Sequence, residues 1–243
     1  MTEMEKLGGI FVSPVRTFDA INSRPTWLLP FILLILASLA INFVAFKIIV
    51  SDANIDPVAR ELTQWEASET GQSVSPTVLQ TQIAALHSQR ERWYVQPVIS
   101  TVISAVALSA VFFVVLWLAR ADTSLVKVFA VTIWSFIIYR VLGGAVTIVA
   151  LLVHGPANFH PAPAEAWSPT SLANLVSRTA VAANTYSAIS KIDVFLVWCL
   201  VVIAIGFSRT SKNLSMQKSF AIILSLEAVY LSLNAVGALP GAA

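Results

Sequence analysis

Five apolar runs, each long enough or nearly long enough to cross a bilayer, constrain this chain more than any other feature. A membrane-spanning helix needs about 20 mainly apolar residues, because it rises about 1.5 Å per residue through about 30 Å of hydrocarbon. The runs are Trp27 to Val50, Tyr94 to Ala119, Leu125 to Val153, Ile192 to Phe207 and Ser219 to Leu239. The fourth is the shortest and draws on its flanks, Ser190 and Lys191 before it and Ser208 after it. Composition agrees: 57% of the 243 residues are hydrophobic and 12% charged, against about a quarter charged in an ordinary soluble domain. The predicted fold class is all-α, a polytopic membrane protein with five transmembrane helices. It forms one domain over residues 1–243, with a tail at 1–26 and outer loops at 51–93 and 154–191.

A net charge of only +2 and the absence of any run of five basic residues exclude the electrostatic footprint of a nucleic-acid binder. The single cysteine, Cys199, allows no intrachain disulfide and reads as a packing residue. The first apolar run comes after a tail containing Glu3, Glu5 and Asp19 and continues past the length of a signal-peptide core. Ala37 to Ala40 imitate a cleavage site, but the run is expected to be a retained anchor.

Orientation is set by the basic residues of the short connections. Lys6, Arg16 and Arg24 lie in the tail, Arg120 and Lys127 flank the turn after the second run, and Arg209, Lys212 and Lys218 flank the turn after the fourth. These belong on one side, expected to be the cytoplasm of a bacterial inner membrane. The two long loops hold Asp52, Asp56, Glu61, Glu66, Glu69, Glu91 and Glu165. Five crossings then put the C-terminus outside. Trp27, Trp93, Tyr94 and Trp117 near the run ends suit the headgroup region.

In the tail, Ser13 is expected to cap a helix begun by Pro14, with Val15, Phe18 and Ile21 on one face. That spacing predicts an interfacial helix anchored by Pro14 and Phe18, leading through Arg24-Pro25 to Trp27. In the first long loop, Val58, Leu62 and Trp65, then Leu79, Ile83 and Leu86, predict two short helices separated at Gly71. The second long loop opens with Pro156, Pro161 and Pro163. There Ser168-Pro169 precedes a short predicted helix bearing Leu172, Leu175 and Val176.

A charge at the bilayer centre costs about 3 kcal/mol or more, so one inside a span is a functional hypothesis by default. Two stand out, Arg140 in the third run and Glu227 in the fifth. They are expected to form an intramembrane polar pair or to share a pocket with Tyr139, Tyr230 or Asn234. A salt bridge fixing helix register is the first reading and an ion or proton pathway the second. Asp193 and Lys47 are placed at outward-facing helix ends, where water reaches them. Asp193 there also complements the dipole of the fourth helix.

His154, His160 and Glu165 match no standard zinc spacing, and no metal or other cofactor is expected. Motifs of zinc proteases, serine hydrolases and phosphate-binding loops are absent, which disfavours an enzyme. Ser100, Ser104 and Ala107, with Gly143-Gly144-Ala145, are expected to form close packing seams. Gly206 is expected to help terminate the fourth helix.

Several stretches resemble the Yip family, the Ypt/Rab-interacting multispanning membrane proteins and their bacterial relatives. Phe11-Val12-Ser13-Pro14-Val15-Arg16-Thr17-Phe18 is similar to the family's opening, and Arg24-Pro25-Thr26-Trp27-Leu28-Leu29-Pro30 to its approach to the first helix. Ile192-Asp193-Val194-Phe195-Leu196-Val197-Trp198, continuing through Gly206, is similar to its fourth-helix signature, which marks Asp193, Trp198 and Gly206 as motif residues. The resemblance implies a five-helix bundle with a cytosolic N-terminus, and a non-enzymatic role beside the bilayer and other membrane proteins. Eukaryotic members are associated with Rab GTPases, but this sequence shows neither their long cytosolic N-terminal region nor an Asp-Leu-Tyr-Gly-Pro type motif. The expectation is therefore a bacterial-type member that organises or assists other membrane components without Rab binding. The alternative is a small transporter or channel subunit using Arg140 and Glu227.

Overall fold

Thr2 starts the first helix, α1 (Glu3–Val12). Its hydroxyl accepts the Glu5 backbone N–H (3.2 Å) while the Glu5 carboxylate accepts the Thr2 backbone N–H (2.8 Å). This reciprocal cap satisfies donors that a helix start leaves open. Pro14 then opens α2 (Pro14–Ser23), where its missing N–H is harmless. Ser13 between them makes no side-chain cap, contrary to expectation. Its backbone N–H instead closes α1 onto the Gly9 carbonyl (2.8 Å).

The computed structural model describes residues 1–49, 55–70, 74–88, 92–154, 168–178 and 180–236. Their regular structure is helical apart from one isolated bridge between Ser171 and Asp193. After α2 come α3 (Leu28–Ile49), α4 (Ile55–Thr70), α5 (Pro76–Ser88) and α6 (Arg92–Leu118). The third apolar run is α7 (Leu125–Phe136), a π-helical segment (Ile137–Gly143) and α8 (Gly144–His154) in sequence. A 3-10 turn (Leu172–Leu175), α9 (Ala183–Ser190), α10 (Val194–Thr210) and α11 (Met216–Ala235) complete the described order. Four of these stretches, Leu28–Ala45, Val98–Leu118, Leu125–Val153 and Met216–Ala235, are long and apolar enough to cross a membrane, and Val194–Thr210 is a shorter apolar helix.

The chain forms two compact units: Met1–Ser38, Val98–Leu142 and Phe195–Ala228 make the first, and Leu39–Pro97, Gly143–Val194 and Val229–Ala243 the second. The tail and both short turns belong to the first unit; both long loops belong to the second.

In the first unit, α2 buries Thr17, Phe18 and Ile21 and leaves Val15 exposed. Phe18 and Ile21 join a cluster with Val131, Trp134 and Phe207. The amphipathic face predicted to lie on lipid therefore packs against protein, through the predicted Phe18 and Ile21 but with Thr17 in place of Val15. On α6 the buried face is Thr101, Ala105, Ser109, Phe112 and Leu116. Ser100 and Ala107 are exposed and Ser104 half-buried, so the predicted seam is not the inner face. α6 meets α3 through the Ser38 and Thr101 hydroxyls, 3.1 Å apart. It ends with Arg120 at φ 56°, its N–H bonded to the Trp117 carbonyl and that of Ala121 to the Leu116 carbonyl. That is a Schellman motif made without glycine.

Gly206 is interior to α10 rather than its terminator. A Cβ there would lie 2.4 Å from Val131 Cγ1 and 2.9 Å from Phe18 Cζ, so only glycine lets α2 and α7 seat on α10. Cys199 is buried in the same cluster.

In the second unit, α4 and α5 pair as a helical hairpin on the expected segments, with Ala59 and Thr63 facing in on α4. The side chains of Val58, Leu62, Trp65 and Leu86, and residue Gly71, lie outside the described residues, as do the side chains of Trp93, Tyr94 and His154 and residues Pro156, His160, Pro161, Pro163 and Glu165. The predicted helix after Pro169 is only the 3-10 turn. Its Ala173 is buried, while Leu172 is exposed and Leu175 is 82% exposed. Helix α9, which the sequence pattern does not announce, packs Tyr186 against Ala173. Gly144 approaches Ile41 as the small-residue expectation required: a Cβ there would sit 2.3 Å from Ile41 Cδ1.

Candidate functional site

Two side-chain networks hold α1 and α2 onto the first unit. In one, Lys6 is 3% exposed; its Nζ donates to Glu3 Oε1 (2.7 Å) and to Thr26 Oγ1 (2.8 Å). The Thr26 hydroxyl donates in turn to the Glu3 carboxylate (2.9 Å). Trp134 of α7, fully buried, gives its indole N–H to the Thr26 carbonyl (2.8 Å), meeting the partner that a buried indole requires. In the other, Arg209 of α10 holds Asp19 of α2 bidentately (2.7 and 3.0 Å), and Lys127 of α7 donates to Asn22 Oδ1 (2.7 Å). Trp27 stands edge-on to Phe31 and Phe129, fixing the start of α3 against α7.

The spans satisfy their polar groups locally. Hydroxyls of Ser109, Thr132, Ser135 and Thr210 each donate to a carbonyl four residues back on their own helix. Ser219 of α11 crosses to the Ala204 carbonyl of α10 (2.7 Å). Such back-bonding consumes donors that a bilayer could not hydrate.

Arg140 and Glu227 stand apart from these networks. From Lys127 to Tyr139 no residue of the third run is exposed; Arg140, within the π-helical segment, is the first that is. Its guanidinium lies over the Tyr139 ring, 5.4 Å from the centroid. Glu227 is half-buried on the flank of the α11 face that carries Ser219 and Ile223 inward. Among the described residues no ion pair or hydrogen bond joins the two, so the expected intrachain pair is not formed. Asn234 donates within its own helix to the Tyr230 carbonyl (2.8 Å), and Tyr230 is exposed. The π-helical segment is the feature that sequence reasoning missed, and such insertions are frequent at functional sites.

The remaining motif residues divide. Asp193 precedes α10 and is buried, bridged to Ser171, and so does not reach water as expected. Around it the Leu172 N–H bonds to the Ile192 carbonyl (2.9 Å) and the Ser171 hydroxyl to the Ser190 carbonyl (2.9 Å), closing the loop onto the helix start. Trp198 is partly exposed, and Lys47 is exposed over the Phe43 ring. Among the described residues no three His, Cys, Asp or Glu side chains converge on a common point.

All-helical in its described residues, with four long apolar helices and a shorter one, the chain is a polytopic integral membrane protein. It belongs to the Yip1 family: the Yip1 domain matches residues 8–237, nearly the whole chain. No curated protein and no solved structure matches it.

Proposed function

We propose that this protein works without catalysis, as a five-span bacterial inner-membrane protein that holds other membrane components against its helix faces. The observation that carries this reading is the direction of Arg140. An ion pathway needs charges lining an interior, whereas the arginine emerges on the surface where its helix leaves the core. The interior hydroxyls support the same reading, since most are committed to their own helix carbonyls.

A cytoplasmic N-terminus is supported by charge. Lys6, Arg16, Arg24, Arg120, Lys127, Arg209, Lys212 and Lys218 all belong to the first unit, with the tail and the short turns. α10 spans only about 26 Å by its 17 residues, with Ser208 among them, and Lys191 before it extends it towards the headgroups.

Reconstitution into liposomes with a panel of ions and small solutes tests the reading. No flux above protein-free liposomes is expected. Transport abolished by Glu227→Gln would overturn it in favour of the transporter alternative.

A further inference from the structure

Away from the ends of the apolar helices, the described residues include one cation and one carboxylate, Arg140 and Glu227, and neither has an ionic partner. Arg140 is exposed, and the group beside its guanidinium is an aromatic ring rather than an acid. An arginine facing hydrocarbon near mid-bilayer is costly, so a lone copy of this chain leaves a penalty unrelieved. Glu227, half-buried, has no cation beside it among the described residues.

Depth makes the two charges complementary between copies. α7 and α11 start at the same end of the first unit, because the Lys212 N–H at the turn before α11 bonds to the Asp122 carbonyl at the turn before α7 (3.4 Å). Counting from Leu125 and from Met216, Arg140 lies about 22 Å and Glu227 about 17 Å along their helices. The long arginine side chain spans that difference. A twofold axis along the membrane normal leaves the depth of every residue unchanged, so Arg140 of one copy faces the level of Glu227 in another.

We propose that two copies of this chain associate side by side in the membrane, with Arg140 of each paired to Glu227 of the other. The association neutralises both charges at once and creates two equivalent seams. The proposal deepens the non-catalytic reading and rests on the same outward-facing arginine.

Two populations carrying Cys199→Ala, one with Arg140→Cys and the other with Glu227→Cys, are reconstituted together in liposomes and treated with a membrane-permeant bis-maleimide whose spacer matches the reach of an arginine–glutamate pair. In a mixed dimer one seam carries the two cysteines while the other keeps its native Arg140 and Glu227. A cross-linked dimer is expected from the mixture and from neither population alone; its absence overturns the proposal. A charge exchange gives the second measurement. Arg140→Glu and Glu227→Arg should each weaken dimerisation in bilayers by about tenfold or more. The double exchange should restore it, which also distinguishes loss of pairing from loss of folding. A chain that stays monomeric at every protein density overturns the pairing, leaving Arg140 to a lipid phosphate drawn into the bilayer, but does not touch the non-catalytic reading. Flux abolished by Glu227→Gln overturns that reading, whatever the oligomeric state.

Discussion

The ring of Phe18 presses on Gly206, so that a β-carbon added to the glycine would lie 2.9 Å from the ring tip and, on its other side, 2.4 Å from Val131. Val131 is β-branched and sits in the most buried helix of the first unit, so it has little room to yield. Alanine gains about 1 kcal/mol of helix propensity over glycine, but overpacking here costs about 1–3 kcal/mol. Gly206→Ala is therefore expected to lower the thermal midpoint in detergent. Gly8→Ala, where a β-carbon meets nothing within 4 Å, is expected to raise it. The opposite order would show that α2 does not seat on α10 in this way.

The second prediction concerns the lock formed by Lys6, Glu3 and Thr26. Lys6→Met leaves the Glu3 carboxylate beside Thr26 without its cation. Breaking a buried pair from one side costs about 3–5 kcal/mol, and the partial exposure of Glu3 reduces this to about 2 kcal/mol. Adding Glu3→Gln should recover part of the loss. Limited proteolysis of the N-terminal helices reports it directly: faster cleavage for the single variant than for the double.

The spans are legible in the sequence, but helix α1 is not among the expectations drawn from it. Length and apolarity alone mark α3, α6 and α11, whereas the start of α1 is shown by the structure, through the reciprocal bonds of Thr2 and Glu5. The burial of α2 is not legible. Its apolar residues suit lipid and protein equally, and the choice rests on Gly206, which is 188 residues from Phe18 in sequence. The direction of Arg140 is equally hidden. Seven residues wound wider than an α-helix rotate the remainder of the span, and Ile137–Gly143 carries no composition that announces such winding.

Arg120 gives a prediction about strain. It occupies the left-handed region at φ 56°, where a side chain costs about 1–2 kcal/mol that glycine does not incur. Glycine loses more freedom on folding, which offsets part of this. Arg120→Gly is expected to stabilise the fold by about 0.5–1 kcal/mol, seen as a raised thermal midpoint. A lowered midpoint would mean that the arginine side chain contributes more than its backbone costs.

Orientation is open to a direct measurement, because the one native cysteine, Cys199, is buried and should resist a membrane-impermeant thiol reagent. Lys212 is strongly exposed in the turn before α11 and holds Asp122 only at 3.5 Å. Lys212→Cys therefore leaves the surrounding structure intact. Seven other basic residues, Lys6, Arg16, Arg24, Arg120, Lys127, Arg209 and Lys218, still mark the same side, so removing one charge should not invert the chain. Gln80→Cys, exposed on α5 in the first long loop, reports the other side. In intact bacterial cells stripped of their outer membrane, Gln80→Cys is expected to react and Lys212→Cys to react only after the inner membrane is broken. The reverse pattern would turn the protein over and place its basic turns outside, and equal labelling of both positions in intact cells would contradict the odd number of crossings between them.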